Sequence, residues 1–263
     1  PFLEWKASAL AVEERSCQSC HMRVVEQDTP IASVLGAPRK GLARHTFTGA
    51  NFFMQRLLNR YRDELGVMAS PEEMDKAVSS TIANLQNATA ELSVERAEVA
   101  SGRIVADVRV QNVTGHKLPT GYPSRRVWLH LAVRDRSGRA VFESGAVAPN
   151  GSIAGNDSDV DPAGVEPHYT EIRTPDQVQI YESIMGDAAR QPTTGLLNAV
   201  RYLKDNRLLP RGFDKARADP WVAVVGGALE DADFSGSGDS VRYSIDVAGA
   251  EGPFQVDVEL RFQ

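Results

Sequence analysis

Two cysteines and a histidine lie close together near the start of the chain, in the run Cys17-Gln18-Ser19-Cys20-His21. Two thiols at this spacing can add to the two vinyl groups of a porphyrin, and the next residue then offers an imidazole nitrogen to the iron. This C-x-x-C-H pattern is typical of c-type haem attachment. The sequence therefore predicts one covalent haem c, bound through Cys17 and Cys20, with His21 as an axial ligand of the iron.

Two other kinds of site use the same cysteine spacing. A redox-active dithiol of the thioredoxin type normally accompanies a βαβ unit, and no such pattern surrounds residue 17. A structural zinc site needs about four Cys and His ligands, and only His45 is a plausible nearby addition. Haem c is favoured over both. Because thioether attachment of haem takes place outside the cytoplasmic membrane, we expect a periplasmic or extracellular protein.

The opposite face of the haem takes a second ligand if the iron is six-coordinate. His45 follows His21 after a loop with several glycine and proline breaks, which is long enough to pass round the edge of a haem. His45 is therefore the predicted distal ligand and would share the iron with His21. His116, in a turn rich in glycine and proline, is the alternative, for this haem or for a neighbouring one. His130 and His168 fall in or beside predicted strands.

Composition excludes several functional classes. The chain of 263 residues has 29 Lys and Arg against 35 Asp and Glu, a net charge of −6, whereas nucleic-acid binders carry a basic face. No apolar run approaches the roughly 18 residues of a membrane-spanning helix. The sequence begins at Pro1 without a signal-peptide pattern, so we expect a processed chain or a piece of a larger one.

The spacing at which apolar residues recur along the chain changes near residue 92. Before it, apolar residues recur at helical spacing, which predicts antiparallel helices over 50–66 and 71–91, the second starting at Ser70-Pro71; a brief helix within 1–16 is expected to lead to Cys17. After it, apolar and polar residues alternate. The predicted strands are 103–110, 127–133, 140–142, 167–173, 176–183, 221–229, 240–247 and 254–262, with one short helix near 195–203. The predicted fold class is α+β, with a helical haem c segment over 1–92 and an antiparallel β-sandwich domain over 93–263.

Oxygen-bearing side chains alternate in the segment 156–161. Calcium favours about six to eight oxygen ligands, so Asp157, Asp159 and Asp161 are candidate calcium ligands. The segment lacks the full spacing of an EF-hand loop, and a solvated turn is the alternative.

Several stretches resemble bacterial multihaem c-type cytochromes. The most specific is the run T-G-H-K-L-P-T-G at residues 114–121, which in those proteins follows the haem-binding part. Residues 17–22 and 45–51 are similar to the end of such a haem region, and two later runs, 177–182 and 204–210, are also similar. The resemblance implies haem c, a distal histidine at His45 and a β-sandwich domain that carries the motif.

The resembling cytochromes contain several C-x-x-C-H motifs, and this chain has one. The resemblance therefore implies a monohaem member, the C-terminal part of a multihaem chain, or a subunit that joins other multihaem cytochrome subunits. The expected function is electron transfer through a bis-histidine haem, by a carrier rather than an enzyme, with redox proteins as partners. The alternatives are a five-coordinate haem enzyme or small-gas sensor, with His45 as distal acid or base, and a structural subunit.

Overall fold

The computed structural model describes residues 1–263, which form two compact units. The sheet unit contains Pro1–Ala9 and Glu91–Gln263, and the helical unit contains Leu10–Ala90. The division predicted at residue 92 lies beside the second junction. Residues 1–9, predicted as part of the helical segment, belong instead to the sheet unit, because the buried carboxylate of Glu4 pairs with Arg207 there. The haem-binding role of one part and the sandwich packing of the other stay predictions.

Five helices precede the first long strand. They are α1 Phe2–Lys6, α2 Ala9–Val12, α3 Cys17–His21, α4 Phe52–Arg60 and α5 Pro71–Ala88. The side chains of Ser70 and Glu73 form a capping box at the start of α5, which confirms the helix start predicted there. The helix predicted over 50–66 is shorter, because Arg62 donates hydrogen bonds to the carbonyls of Val67 and Ala69 and stabilises a turn after Arg60. None of the helices is both long enough and apolar enough to cross a membrane.

The loop between α3 and α4 is closed at its base by antiparallel pairing. Two short strands pair within it, β1 Thr29–Pro30 with β2 Pro38–Arg39. Nearer the base, Val24 forms a bridge with Ala43, and the N–H of Arg44 donates to the carbonyl of Arg23 at 3.0 Å. The chain therefore leaves the C-x-x-C-H motif and returns beside it.

Few apolar side chains are buried within the helical unit. Leu10 and Val78 are its buried hydrophobic residues. The exposed large hydrophobic residues of this unit are Val12, Val24, Ile31, Val34, Leu35, Phe47, Phe53, Met54, Tyr61, Leu65 and Met68. The helical unit therefore exposes more large apolar side chains than it buries.

The sheet unit contains two four-stranded sheets. The first has the order β3-β4-β11-β7, from β3 Ala90–Ala100, β4 Arg103–Asn112, β11 Asp239–Asp246 and β7 Glu171–Ile172. The second has the order β12-β5-β6 with β8 also paired to β5, from β12 Gln255–Phe262, β5 Val127–Arg134, β6 Ala140–Ser144 and β8 Ile180–Tyr181. A separate hairpin consists of β9 Ser183–Gly186 and β10 Arg201–Asp205, and a short helix, α6, spans Asp157–Val160.

The inner faces of the sheets are apolar. Every second residue of β4 and of β11 is buried, which is the alternation the sequence predicts. Phe142 of β6 meets Tyr243 of β11 edge-on, with ring centroids 6.5 Å apart. The hydroxyl of Tyr181 in β8 donates to Asp239 at the start of β11 at 2.6 Å. The α+β class is confirmed, and these contacts support the sandwich packing, which stays a prediction.

Four elements predicted after residue 160 are absent from the structure or are interrupted in it. The strand predicted over 221–229 is wrong, because the chain there makes two 3₁₀ turns, Pro220–Val222 and Gly227–Leu229, the first capped by Asp219 and the second preceded by Gly226 at φ 88°. The helix predicted near 195–203 is wrong, because residues from 201 onward pair with β9. The strand predicted over 167–173 shortens to β7, where the preceding Tyr169 N–H donates to the Gln179 side chain at 2.8 Å. The strand predicted over 176–183 is replaced by β8 and, from residue 183, by the start of β9.

Candidate functional site

The C-x-x-C-H motif forms a short helix, α3, whose residues are Cys17–His21. On a helix, residues three and four positions apart lie on the same side. Cys17 therefore shares a side of α3 with both Cys20 and His21. Both cysteines are free thiols and are exposed. The helix thus holds two thiols and an imidazole within little more than one turn, and these are the donors that haem c requires.

The imidazole of His21 is oriented by the backbone of Thr48. Its Nδ1 lies 2.5 Å from the Thr48 carbonyl oxygen, and the Thr48 N–H donates to the His21 carbonyl at 3.1 Å. Because a carbonyl only accepts hydrogen bonds, Nδ1 carries the proton and the lone pair of the neutral ring is on Nε2. Metal-binding histidines are held in their tautomer by a second contact of this kind. The ring therefore fits the role of an axial ligand through Nε2.

His45 lies in the segment of chain that returns beside the motif. Its exposed ring stacks on Phe47, with centroids 5.8 Å apart and planes at 19°. Phe47 has a left-handed backbone, φ 44°, which is uncommon for a bulky residue and tends to occur at functional sites. The backbone pairs on either side, of Arg44 with Arg23 and of Thr48 with His21, fix this segment next to the motif. The structure therefore brings His45 into the same unit and the same paired segment as His21.

His116 belongs to the sheet unit, where a turn holds it. Its Nδ1 lies 3.0 Å from the Lys117 carbonyl, and its own carbonyl accepts from the Asn112 amide at 2.7 Å and from the Thr114 hydroxyl at 2.9 Å. These bonds give His116 the role of a turn residue. A ligand role for it stays a prediction.

A buried ionic network, which sequence reasoning missed, explains the runs at 114–121 and 204–210. Nζ of Lys117 lies 2.9 Å from Oδ2 of Asp205, which also accepts from Arg207 Nη2 at 2.7 Å. Nη1 of Arg207 pairs with Glu4 at 2.9 Å. Glu4 in turn accepts from the Lys117 N–H at 3.1 Å and from the Thr120 hydroxyl at 3.0 Å. The four charged side chains are at most 8% exposed.

The opposite charges of this network pair with one another, which lowers the free-energy cost of burying them. Burial lowers the pKa of the Lys117 ammonium, and the negative charge of Asp205 opposes that shift. One signal in the sequence could have revealed the network. A charged residue within an apolar run, such as Lys117 before Leu118-Pro119, indicates a buried charge that needs a partner. The network gives the motif a structural role in the sheet unit, where it anchors Glu4 and with it α1.

The three candidate calcium ligands lie in α6 and directly after it. Asp159 pairs with Arg126 at 2.7 Å and accepts the Ile153 N–H at 2.8 Å. Asp161 accepts the Ala163 N–H at 2.9 Å, and the N–H of Asp157 donates to Glu166 at 2.6 Å. These are the contacts of a polar turn, the alternative that the sequence left open. Calcium at Asp157, Asp159 and Asp161 stays a prediction.

Comparison with known proteins gives one likeness. No family model matches the chain, and no curated protein matches it. Among solved structures, the chain is similar to the crystal structure of a penta-heme cytochrome c552 from Thermochromatium tepidum, at 16% identity and a TM-score of 0.46. The match covers 94% of this chain and 39% of that chain. A TM-score this low does not establish a common fold, so the functional interpretation depends on the residues of the site.

Proposed function

We propose that the chain is a c-type cytochrome subunit or fragment that carries one covalent haem and transfers electrons. The observation that supports this best is the arrangement around α3, where Cys17 lies on the same side of a short helix as Cys20 and as His21, and Thr48 orients the imidazole. When bound, haem c supplies an iron centre that changes oxidation state by one electron.

Each residue of the helical unit has a distinct role in this proposal. The sulfur atoms of Cys17 and Cys20 form the thioether bonds, and Nε2 of His21 binds the iron. The Thr48 carbonyl accepts the proton of Nδ1, which fixes the ring and raises its basicity as a ligand. Exposed aromatic side chains such as Phe47 and Phe53 provide apolar contact for the porphyrin and exclude water from it, and a lower polarity around a haem shifts its reduction potential.

His45 is the proposed distal ligand. Its exposed ring lies in the segment that is paired with the motif, whereas the ring of His116 contacts its own turn. With histidines on both faces the iron is six-coordinate, which suits an electron carrier better than an enzyme that binds substrate at iron. Two histidines also give a lower potential than a histidine and a methionine.

The partners proposed for this carrier are other redox proteins, among them multihaem cytochrome subunits. The net charge of −6 favours association with basic surfaces at low ionic strength. Because thioether attachment takes place outside the cytoplasmic membrane, the proposed location is periplasmic or extracellular.

The first test is the mass of the purified chain under denaturing conditions. After export in cells that mature haem c, the wild type should be heavier than the bare polypeptide by one haem. The double variant Cys17→Ala, Cys20→Ala should have the mass of the bare chain, and the control Ser19→Ala, between the two cysteines, should keep the haem. A wild-type chain with the mass of the polypeptide alone would refute the proposal.

The second test concerns the distal ligand and uses the optical spectrum of the haem-loaded chain. We expect a low-spin spectrum in the wild type that carbon monoxide does not change. His45→Ala should become high-spin and bind carbon monoxide, and His116→Ala should keep the wild-type spectrum. The reverse result in the two variants would assign the distal position to His116. A high-spin wild type would favour the five-coordinate alternative.

A further inference from the structure

A buried polar cluster in the sheet unit takes no part in the proposed haem site. It consists of His168, Asp231 and Asp239, whose side chains are 1%, 6% and 0% exposed. Their ligand atoms lie within 4.8 Å of one another. Nε2 of His168 is 3.0 Å from Asp231 and 4.0 Å from Oδ1 of Asp239. Two carboxylates buried this deeply need a compensating cation or proton.

The hydrogen bonds of His168 argue against a metal ion as the group that compensates the two negative charges. Its Nδ1 lies 2.8 Å from the amide nitrogen of Gln179 and 3.1 Å from that of Asn206. Neither amide can be reversed, because the Gln179 oxygen accepts the Tyr169 N–H at 2.8 Å and the Asn206 oxygen accepts the Glu182 N–H at 3.0 Å. Nδ1 is therefore an acceptor, and the proton of the neutral ring is on Nε2. A nitrogen that donates to carboxylates cannot bind a metal at the same time.

Asp239 is the place where a compensating proton fits. Its Oδ2 accepts from the Tyr181 hydroxyl at 2.6 Å and from the Gln179 amide at 3.3 Å. Its Oδ1 is buried and has no hydrogen-bond partner. A proton on Oδ1 removes the charge of the group and turns an unsatisfied acceptor into a donor. Burial, together with the negative charges of Asp231 and Asp233, raises the pKa of Asp239 to about 7.

The charged groups around the cluster do not replace that proton. Lys204 of β10 is paired with Glu182 at 2.9 Å, and Nζ of Lys215 donates to the carbonyls of Ala228 and Asp231 rather than to a carboxylate of the cluster. His168 does not take up the charge either, since burial lowers its pKa.

We propose that Asp239 is a proton switch of the sheet unit, neutral in the folded chain under mildly acidic conditions, whose ionisation loosens the loop 231–238. The geometry supports this because Asp231 and Asp239 lie at the two ends of that loop. When both are ionised, their repulsion acts across the ends, with only the Nε2–H of His168 between them. Asp233 adds a third negative charge within the loop, where its carboxylate accepts the Ser240 N–H at 3.2 Å.

The test is urea unfolding of the full haem-loaded chain between about pH 5 and about pH 9. A group whose pKa is higher in the folded than in the unfolded chain stabilises at low pH, and that stability is lost as the pH rises through the folded value. Between about pH 5 and about pH 7 the wild-type unfolding constant should therefore rise up to about tenfold per pH unit more steeply than that of Asp239→Asn, and above the folded pKa of about 7 the two slopes should converge. The control Asp257→Asn, at an exposed position of β12, should keep the wild-type slope. Equal slopes in wild type and Asp239→Asn would overturn the proposal.

Two further measurements keep the proposal testable if Asp239→Asn does not fold. Infrared spectra of wild type with isotope-labelled aspartate should show a protonated carboxyl band that disappears through neutral pH, and its absence at acidic pH would overturn the proposal. The protection of the amides in the loop 231–238, relative to their intrinsic exchange rates at each pH, should fall over the same range, and unchanged protection would overturn the proposal too. Where Asp239→Asn folds, added zinc or calcium should change its stability no differently from that of the wild type, and stabilisation that Asp239→Asn abolishes would identify a cation site instead.

Discussion

Replacing Asp205 by asparagine should destabilise the sheet unit strongly. The two oxygens of Asp205 accept from Nζ of Lys117 at 2.9 Å and from Nε and Nη2 of Arg207 at 2.9 and 2.7 Å. The substituted asparagine would keep the bond to Nε through its oxygen, and its NH₂ group would then face the two remaining cationic donors. Asp205→Asn thus removes the charge that both buried cations share while leaving the shape of the side chain nearly unchanged.

The expected loss is about 4 kcal/mol of unfolding free energy. Two hydrogen bonds to charged groups are lost, each worth about 1.5–3 kcal/mol. Independently, removal of one partner from a buried ion pair costs about 3–5 kcal/mol, because the other charge stays buried without compensation. Lys117 is 0% and Arg207 8% exposed, so water cannot replace the carboxylate. A loss of this size is a large part of the roughly 5–15 kcal/mol that stabilises a typical protein.

Equilibrium unfolding in urea, followed by near-ultraviolet circular dichroism of the sheet unit, measures the loss. Glu251→Gln is the matched control, because it removes one carboxylate from a pair with Arg136 that is 73% and 63% exposed. Its midpoint should stay close to that of the wild type, since exposed ion pairs contribute little. If Asp205→Asn is no less stable than the control, the buried network does not stabilise the sheet unit and the reasoning fails.

Three further variants test other features by urea unfolding. Glu4→Gln should destabilise the sheet unit by about 2–3 kcal/mol, because Arg207 loses one of its two carboxylates; an unchanged midpoint would mean that α1 is not anchored there. Gly145→Ala should cost about 1–3 kcal/mol, because the position has φ 75° and a Cβ would lie 2.5 Å from the Leu129 carbonyl oxygen; wild-type stability would show that the backbone can shift. Ser70→Ala should cost about 1 kcal/mol through the lost cap of α5, visible as lower helicity in circular dichroism, while Ser79→Ala at an exposed site of the same helix should not lower it.

Features that depend on neighbouring residues could be predicted from the sequence. The donor set of α3 follows from the spacing of Cys17, Cys20 and His21, and the start of α5 follows from the Ser70 cap. The hairpin of β5 and β6 follows from alternating apolar residues on either side of a turn, although β6 extends two residues beyond the predicted end. In each case the chemistry lies within a few residues, so a single sequence carries the signal.

Features that depend on distant residues could not be predicted. The place of Glu4 in the sheet unit depends on its pairing with Arg207, and no local pattern connects them. The tautomer of His168 depends on two amides from different segments, Gln179 and Asn206, so the residue appeared only as a histidine beside a strand. The error at 221–229 has a local cause, since a run of apolar residues does not distinguish a strand from buried 3₁₀ turns.

The order of the two units along the chain has a consequence for limited proteolysis. The helical unit is an insertion, since Pro1–Ala9 and Glu91–Gln263 belong to the same unit. A single cut between α3 and α5 would therefore leave two polypeptides, and the shorter one, which carries Cys17–His21, would stay with the sheet unit through α1. Glu4 and the bond from the Ala9 N–H to the Arg211 carbonyl at 2.7 Å would hold it there. The nicked protein would then be a heterodimer of the two polypeptides, and the association of the shorter one with the longer one would depend on concentration.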